Sequence, residues 1–238
     1  MEKEAGITNL GRWGLVVVDM QNDFLAAGGY YARRKELDQQ VHQGTMTVEA
    51  RNRLLSQPSR APHGVFSYRV ESLPSIVANI VKVIECARAQ QRPIVYLQAI
   101  YSREFAVLPP FLWQDPSREH YPCKPKSWGA DFIEPIRHLT VGRQTPSCER
   151  VIAKHTLDGF CRTALLRFLR ERDVQTVVIA GVETHVCVLT TAQSASLNRF
   201  KTIILEDCIW TANEGLGEGA LAIFRDAFGS TARCDTIR

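Results

Sequence analysis

Val177-Val178-Ile179-Ala180-Gly181-Val182-Glu183-Thr184-His185-Val186-Cys187-Val188 decides the fold, because a β-branched run meets glycine and then passes within six residues into a segment carrying a cysteine. A strand buried on both faces of a parallel sheet reads as such a continuous apolar run. Gly181 is expected to mark the turn that ends it. Thr184 can then cap a following helix by accepting a hydrogen bond from the Cys187 N–H, which places Cys187 in the first helical turn. Unpaired N–H groups and the positive end of the helix dipole favour a thiolate there. An inert core thiol is the competing reading, since cysteine is among the most buried residue types.

Near the amino terminus, Leu15-Val16-Val17-Val18 is a second apolar run, followed at once by Asp19-Met20-Gln21-Asn22-Asp23-Phe24. Asp19 then stands at the carboxyl end of a buried strand, the edge where open α/β sheets bind ligands, and is a candidate general base. Turn formation and capping by Asp19, Asn22 and Asp23 is the alternative. Ser72-Leu73-Pro74-Ser75 starts a helix with Ile76, Ile80, Val83, Ile84 and Ala87 at helical spacing, and Pro93–Gln98 follows as the next strand. Arg150–Lys154 is a third strand with a lysine at its carboxyl end, leading into an amphipathic helix from Cys161 to Arg172. Lysine is rarely buried unpaired, so Lys154 either reaches solvent or faces a carboxylate. A strand over Thr202–Leu205 and a helix around Gly219 to Phe228 continue the alternation. The pattern predicts a three-layer α/β/α fold with a mostly parallel central sheet, as one domain over residues 1–238.

Composition bounds the function. No run approaches the roughly 18 apolar residues that cross a bilayer, and the opening Met1-Glu2-Lys3-Glu4-Ala5 lacks a signal peptide's basic start and apolar core. A cytoplasmic protein is expected. The seven cysteines show no C-x-x-C pairing, which disfavours a disulfide framework or a cysteine zinc site. Residues 31–70 hold seven basic side chains against three acidic, so the whole formal charge of +4 resides there. That stretch is expected to be an insertion or lid with one helix near 33–43. Its scattered charges read as a solvated surface more readily than as an anion or nucleic-acid site. Between 101 and 149 the loops are rich in aromatic residues, of which Trp128 is the one expected at a small-molecule pocket.

Three strand ends thus offer Asp19, Lys154 and Cys187. A cysteine needs a base to take its proton, the base needs a cation to stay ionised, and the ammonium also stabilises a thiolate. At these residues the chain resembles the isochorismatase-like cysteine hydrolases, a superfamily that includes nicotinamidases, N-carbamoylsarcosine amidase, biuret hydrolase and ureidoacrylate amidohydrolase. The matching segments are Val16–Phe24, then Ile152-Ala153-Lys154 with Gly159, Phe160 and Thr163, then Ala180–Val188. The resemblance implies a Rossmann-like architecture and makes Asp19, Lys154 and Cys187 the catalytic triad. It also implies a cis peptide between Val182 and Glu183, with the Glu183 and Cys187 N–H groups as an oxyanion hole. Phe24, in the first motif, joins Trp128 as an expected substrate-binding residue. The implied reaction is hydrolysis of a small amide, ureide or carbamoyl compound through a thioester, without a cofactor and within a homo-oligomer. No nucleic-acid or membrane partner is expected.

Nicotinamidases of this family carry a metal-binding Asp-x-His after the second strand, whereas this chain has Gln98-Ala99-Ile100-Tyr101 and no histidine before His120. No metal site is expected. Isochorismatases, which cleave a vinyl ether, lack the nucleophilic cysteine. Three alternatives remain open at this point: a nicotinamidase or isochorismatase-type hydrolase, a Cys/His pair using His155 or His185, and a catalytically silent binding or assembly protein with the basic insertion as its partner surface.

Overall fold

The computed structural model describes residues 10–61, 66–102, 121–140 and 147–237. Six parallel strands form one sheet in the order β3-β2-β1-β4-β5-β6, namely Glu149–Lys154, Ile94–Ala99, Trp13–Val18, Thr176–Val182, Lys201–Trp210 and Ser230–Ala232. The two apolar runs named above, β1 and β4, lie side by side at its centre and are buried throughout. Their side chains alternate between two cores, as strand geometry requires. Leu15, Val17, Val178 and Ala180 face the core shared with Val77, Ile80, Val83 and Ile84 of a long helix. Val16, Val18, Val177 and Ile179 face the core containing Leu165, Phe168, Val188 and Ala192.

The helices in chain order are α1 (Asn22–Leu25), α2 (Tyr30–His42), α3 (Val48–Ser56), α4 (Leu73–Ala89), α5 (Glu134–Thr140), α6 (Leu165–Arg170), α7 (Leu189–Leu197) and α8 (Glu214–Ala227). α4 begins with Pro in its first turn and buries residues three and four apart, the pattern of a helix with one apolar face. At one edge of the sheet, β3 starts with a buried carboxylate, Glu149, whose charge is met by Arg88 of α4 at 2.7 Å and by the Tyr96 hydroxyl. Among the described residues, no helix is long and apolar enough to cross a membrane.

Four local expectations change. Gly181 does not end β4, which runs on through Val182; its φ of 122° lets the strand pass β1 where a Cβ would strike the Val18 carbonyl. Thr184 does not cap a helix: it is buried inside a π-helical turn, Thr184–Val188, whose Val188 N–H reaches the Glu183 carbonyl. The helix read over 161–172 is only α6. Arg162 has φ 55° and the Thr163 hydroxyl bonds the Gly159 carbonyl, so that segment is a turn. Finally, residues 31–70 hold two helices rather than one. Arg51 of α3 bonds Asp38 of α2 at 2.7 Å, and Arg33 of α2 bonds the Gln57 carbonyl just past α3.

Candidate active site

The carboxyl ends of β1, β3 and β4 converge. Asp19 follows β1 with φ 51°, a left-handed conformation that aspartate tolerates better than most residues and that turns the chain out of the sheet. Lys154 closes β3, fully buried. Its Nζ lies 2.8 Å from Asp19 Oδ2 and 3.4 Å from Cys187 Sγ, and donates to the carbonyls of Thr156 at 3.0 Å and Leu157 at 3.4 Å. The lysine therefore faces a carboxylate rather than solvent. Asp19 meets it as an ion pair within hydrogen-bonding distance, and the Lys154 ammonium, the Cys187 thiol and the Ala99 N–H all favour the ionised carboxylate.

Burial raises the Asp19 carboxyl above its ordinary value, against the opposing pull of the Lys154 charge. Desolvation would lower the lysine, yet the charges of Asp19 and Cys187 together outweigh it and hold the ammonium more firmly than in water. Burial also pushes Cys187 up to about 12, with Lys154 lowering it and Asp19 raising it. Burial thus favours the protonated thiol at rest, so a base beside it must take the proton. In a site closed to water, desolvation exceeds what a helix end supplies. The three groups are neutral in sum and share one mobile proton.

Cys187 opens onto a cavity of about 470 Å³, walled by Phe24, Tyr31, Tyr101, Leu157 and Val186 and by the charged groups of Arg34, Lys35, Asp38, Arg69 and Glu183. Phe24 stacks on Tyr31 with ring centroids 5.5 Å apart. Trp128 is not brought here. Its short 3₁₀ turn, Trp128–Ala130, braces α1 by accepting a hydrogen bond from Asn22 Nδ2, and its ring borders a separate cavity of about 200 Å³. Tyr101, just beyond β2, takes the position that Trp128 was expected to hold. The Val182–Glu183 peptide bond is cis.

The remaining polar residues around the motifs divide by role. Asp23 is structural: Oδ1 accepts from the Tyr30 N–H at the start of α2 and from the Ser59 hydroxyl, and Oδ2 accepts from the Cys123 N–H. It ties α1, α2 and two loops together beside the pocket. His155 bonds the Ile100 carbonyl at 2.7 Å. His185 lines the pocket and bonds Thr211 Oγ1 at 2.7 Å. Thr211 donates its single proton to Glu183 Oε2, so His185 Nδ1 is the donor to the Thr211 hydroxyl. Glu183 also pairs with Arg69 at 3.7 Å. That arginine, only 10% exposed and set over the Trp210 ring, is part of the site wall and not the solvated surface its charge run suggested.

Among the described residues, the one cluster of metal-ligating groups is Asp207, Cys208 and Cys234 beside the C-terminal turn, not at this pocket. All seven cysteines are free thiols. Near the end of β2, Gln98 is committed to the Ala130 carbonyl, and just beyond the strand Tyr101 is buried, while Glu104, Asp115 and His120 lie outside the described residues.

The chain has known relatives. Nicotinamidase 3 of Arabidopsis thaliana is 30% identical over 95 residues, which cover 40% of this chain and 48% of that protein, so this chain spans about half the length of that relative. Ureidoacrylate amidohydrolase RutB of Acinetobacter baylyi is 23% identical over 211 residues, 83% of this chain and 70% of that one. The crystal structure of nicotinamidase PncA from Bacillus subtilis shares the fold with a TM-score of 0.70 at 19% identity, covering 94% of this chain and all of the other. The isochorismatase domain matches residues 14–235, from the first residues of the central strand to the C-terminal turn, and this chain belongs to the isochorismatase family.

Proposed function

We propose that the protein is a cysteine-dependent hydrolase that cleaves the carbon–nitrogen bond of a small amide, ureide or carbamoyl compound. One observation carries this reading: a carboxylate, a buried ammonium and a thiol meet at the floor of a cavity. Asp19 takes the Cys187 proton as the sulfur attacks the carbonyl, and Lys154 stabilises the negative charge as it forms on sulfur. The Glu183 and Cys187 N–H groups receive the oxyanion. When the tetrahedral intermediate collapses, the C–N bond breaks and Asp19 protonates the departing ammonia or amine. A water deprotonated by Asp19 then cleaves the thioester, and the thiol recovers its proton. Phe24 and Tyr101 wall the substrate, and α2 with α3 covers the pocket as a lid. A cytoplasmic setting accords with seven free thiols, and the proposal includes a homo-oligomer acting on small molecules. The test is ammonia release from a panel of small amides, ureides and carbamoyl compounds; turnover of none of them, by a folded chain, would reject the reading.

Two further outcomes are expected once a substrate is found. Asp19 must be ionised to act, so kcat/KM should rise with pH through an apparent pKa above the ordinary carboxylate value of about 4. That value belongs to the three coupled groups together. Because Cys187 is pushed up to about 12, the protonated thiol persists and no fall is expected up to pH ~9. A profile recorded from acid to alkaline pH checks this, and an optimum limited by a thiol titrating near ~8 would contradict it. The second outcome concerns metals. The stretch Gln98-Ala99-Ile100-Tyr101 lacks the Asp-x-His that nicotinamidases of this family carry after the second strand. Activity should therefore survive dialysis against a strong chelator, whereas loss to chelator and recovery with zinc or iron would return a metal-assisted route.

A further inference from the structure

We infer that Asp207, Cys208 and Cys234 form a site for a thiophilic divalent cation of the zinc class, apart from the catalytic pocket. Spacing rules look for cysteines close in sequence, whereas Asp207 and Cys234 stand 27 residues apart and only the fold unites them. The device is a bulge in β5. Between the register pairs Ile179–Ile204 and Gly181–Ile209, β4 advances two residues while β5 advances five. In a regular strand Cys208 would share a face with Ile204, because side chains alternate with a period of two. Instead it lies in the core that holds Ile203 and Leu205, while Ile204 and Ile209 face the other core. A bulge re-aims side chains in this way. Two consecutive residues, Asp207 and Cys208, thereby meet the C-terminal turn that carries Cys234.

The geometry suits such an ion. Cys234 Sγ is 3.1 Å from Asp207 Oδ2, Cys208 Sγ is 3.8 Å from Oδ1, and the three ligand atoms lie within 4.8 Å of one another. Zinc bonds of about 2.3 Å to sulfur and ~2.0 Å to oxygen place tetrahedral ligand atoms roughly 3.5–3.8 Å apart, so side-chain shifts of about 1 Å or less close the set. Asp207 is already oriented. Its Oδ1 accepts from the Cys234 N–H at 2.9 Å, its carbonyl accepts from Asn79 Nδ2 at 3.0 Å, and Arg233 stands 3.5 Å from Oδ2. As the ion enters, two S–H bonds break, two metal–sulfur bonds form and both protons leave to solvent. Two thiolates and a carboxylate then exceed a dication by one negative charge, which Arg233 answers. Thiolate ligands select zinc over magnesium or calcium, and the half-buried side of Cys234 admits water as the fourth ligand. The ion ties the C-terminal turn to β5, whose last residue, Trp210, backs Arg69 in the pocket wall.

Cobalt(II) and zinc test this on the full-length protein, reduced with a phosphine and stripped of metal. Cobalt should bind at one equivalent per chain with a thiolate-to-metal charge-transfer band that zinc abolishes by displacement, and zinc should raise the thermal midpoint. Cys234→Ser, at a half-buried position, should remove most of the band and weaken zinc binding by more than the ~10–100-fold that changes behind a ligand cost. Cys208→Ser should do the same, while Asp207→Asn should keep the band and weaken binding. Cys187→Ala and Cys86→Ser, whose thiols lie outside the cluster, should change neither. A folded protein that shows no charge-transfer band in excess cobalt would overturn the inference. So would a band lost in Cys187→Ala and kept in Cys234→Ser, which would put the metal at the catalytic thiol. Turnover is not the readout, so failure of the proposed hydrolase reaction leaves this result standing.

Discussion

Cys187→Ala is expected to lower turnover by about 10⁴-fold or more, because removing a nucleophile from a cooperating set forfeits nearly everything the set supplies. Folding should survive. The side chain is small, the loss of one buried sulfur costs about 1 kcal/mol, and Lys154 keeps its contacts with Asp19 and the Thr156 and Leu157 carbonyls. Cys187→Ser should be nearly as inactive. A thiol already pushed up to about 12 is within reach of a neighbouring carboxylate assisted by an ammonium, but a hydroxyl is several units further away. Ammonia release measured beside a thermal unfolding curve separates the two effects; substantial activity in the alanine variant would remove the proposed nucleophile.

The second large effect belongs to the Asp19–Lys154 pair, for which rate and stability should respond differently. Asp19→Ala leaves the Lys154 ammonium at 0% exposure without its counter-ion, and Lys154→Ala does the same to the carboxylate. Each single variant should lose about 3–5 kcal/mol of stability, the usual cost of orphaning a buried charge. The double variant removes both charges and should unfold later than either single variant. Its activity should not recover, and its rate loss should be close to that of the worse single variant, because base and cation serve one proton transfer. Denaturant unfolding and initial rates on the four proteins complete the cycle. Multiplicative rate losses would mean that the two residues act independently.

The parts of this arrangement legible in the sequence are those written in short segments. Apolar β-branched runs need no tertiary information to read as buried parallel strands, and here Leu15–Val18 and Val177–Ala180 are adjacent central strands. A residue at the carboxyl end of such a strand is placed by topology alone, which is why the sequence suffices to bring Asp19, Lys154 and Cys187 to one edge. What the sequence did not disclose depends on contacts between distant segments. Tyr31 and Tyr101 reach the pocket because α2 folds over the sheet edge and β2 ends beneath it, and neither position has a local signature. Arg69 looked like one more charge in a basic run until Glu183 and Trp210 closed around it. Trp128 was conspicuous among loop aromatics, yet its turn is fixed by Ser127 and Asn22 in a different place. The upward push on Cys187 has a related origin: a helix terminus is visible in sequence, whereas the desolvation that raises the thiol comes from the whole surrounding fold.

The central claim is a covalent bond between substrate and Cys187, and the direct measurement is a rapid acid quench during turnover followed by peptide mass mapping. The acyl mass of the substrate is expected on the Cys187 peptide, discharged by hydroxylamine as the hydroxamate. Continued turnover with an adduct on another residue, or with Cys187 unmodified and no hydroxamate formed at saturating hydroxylamine, would contradict it.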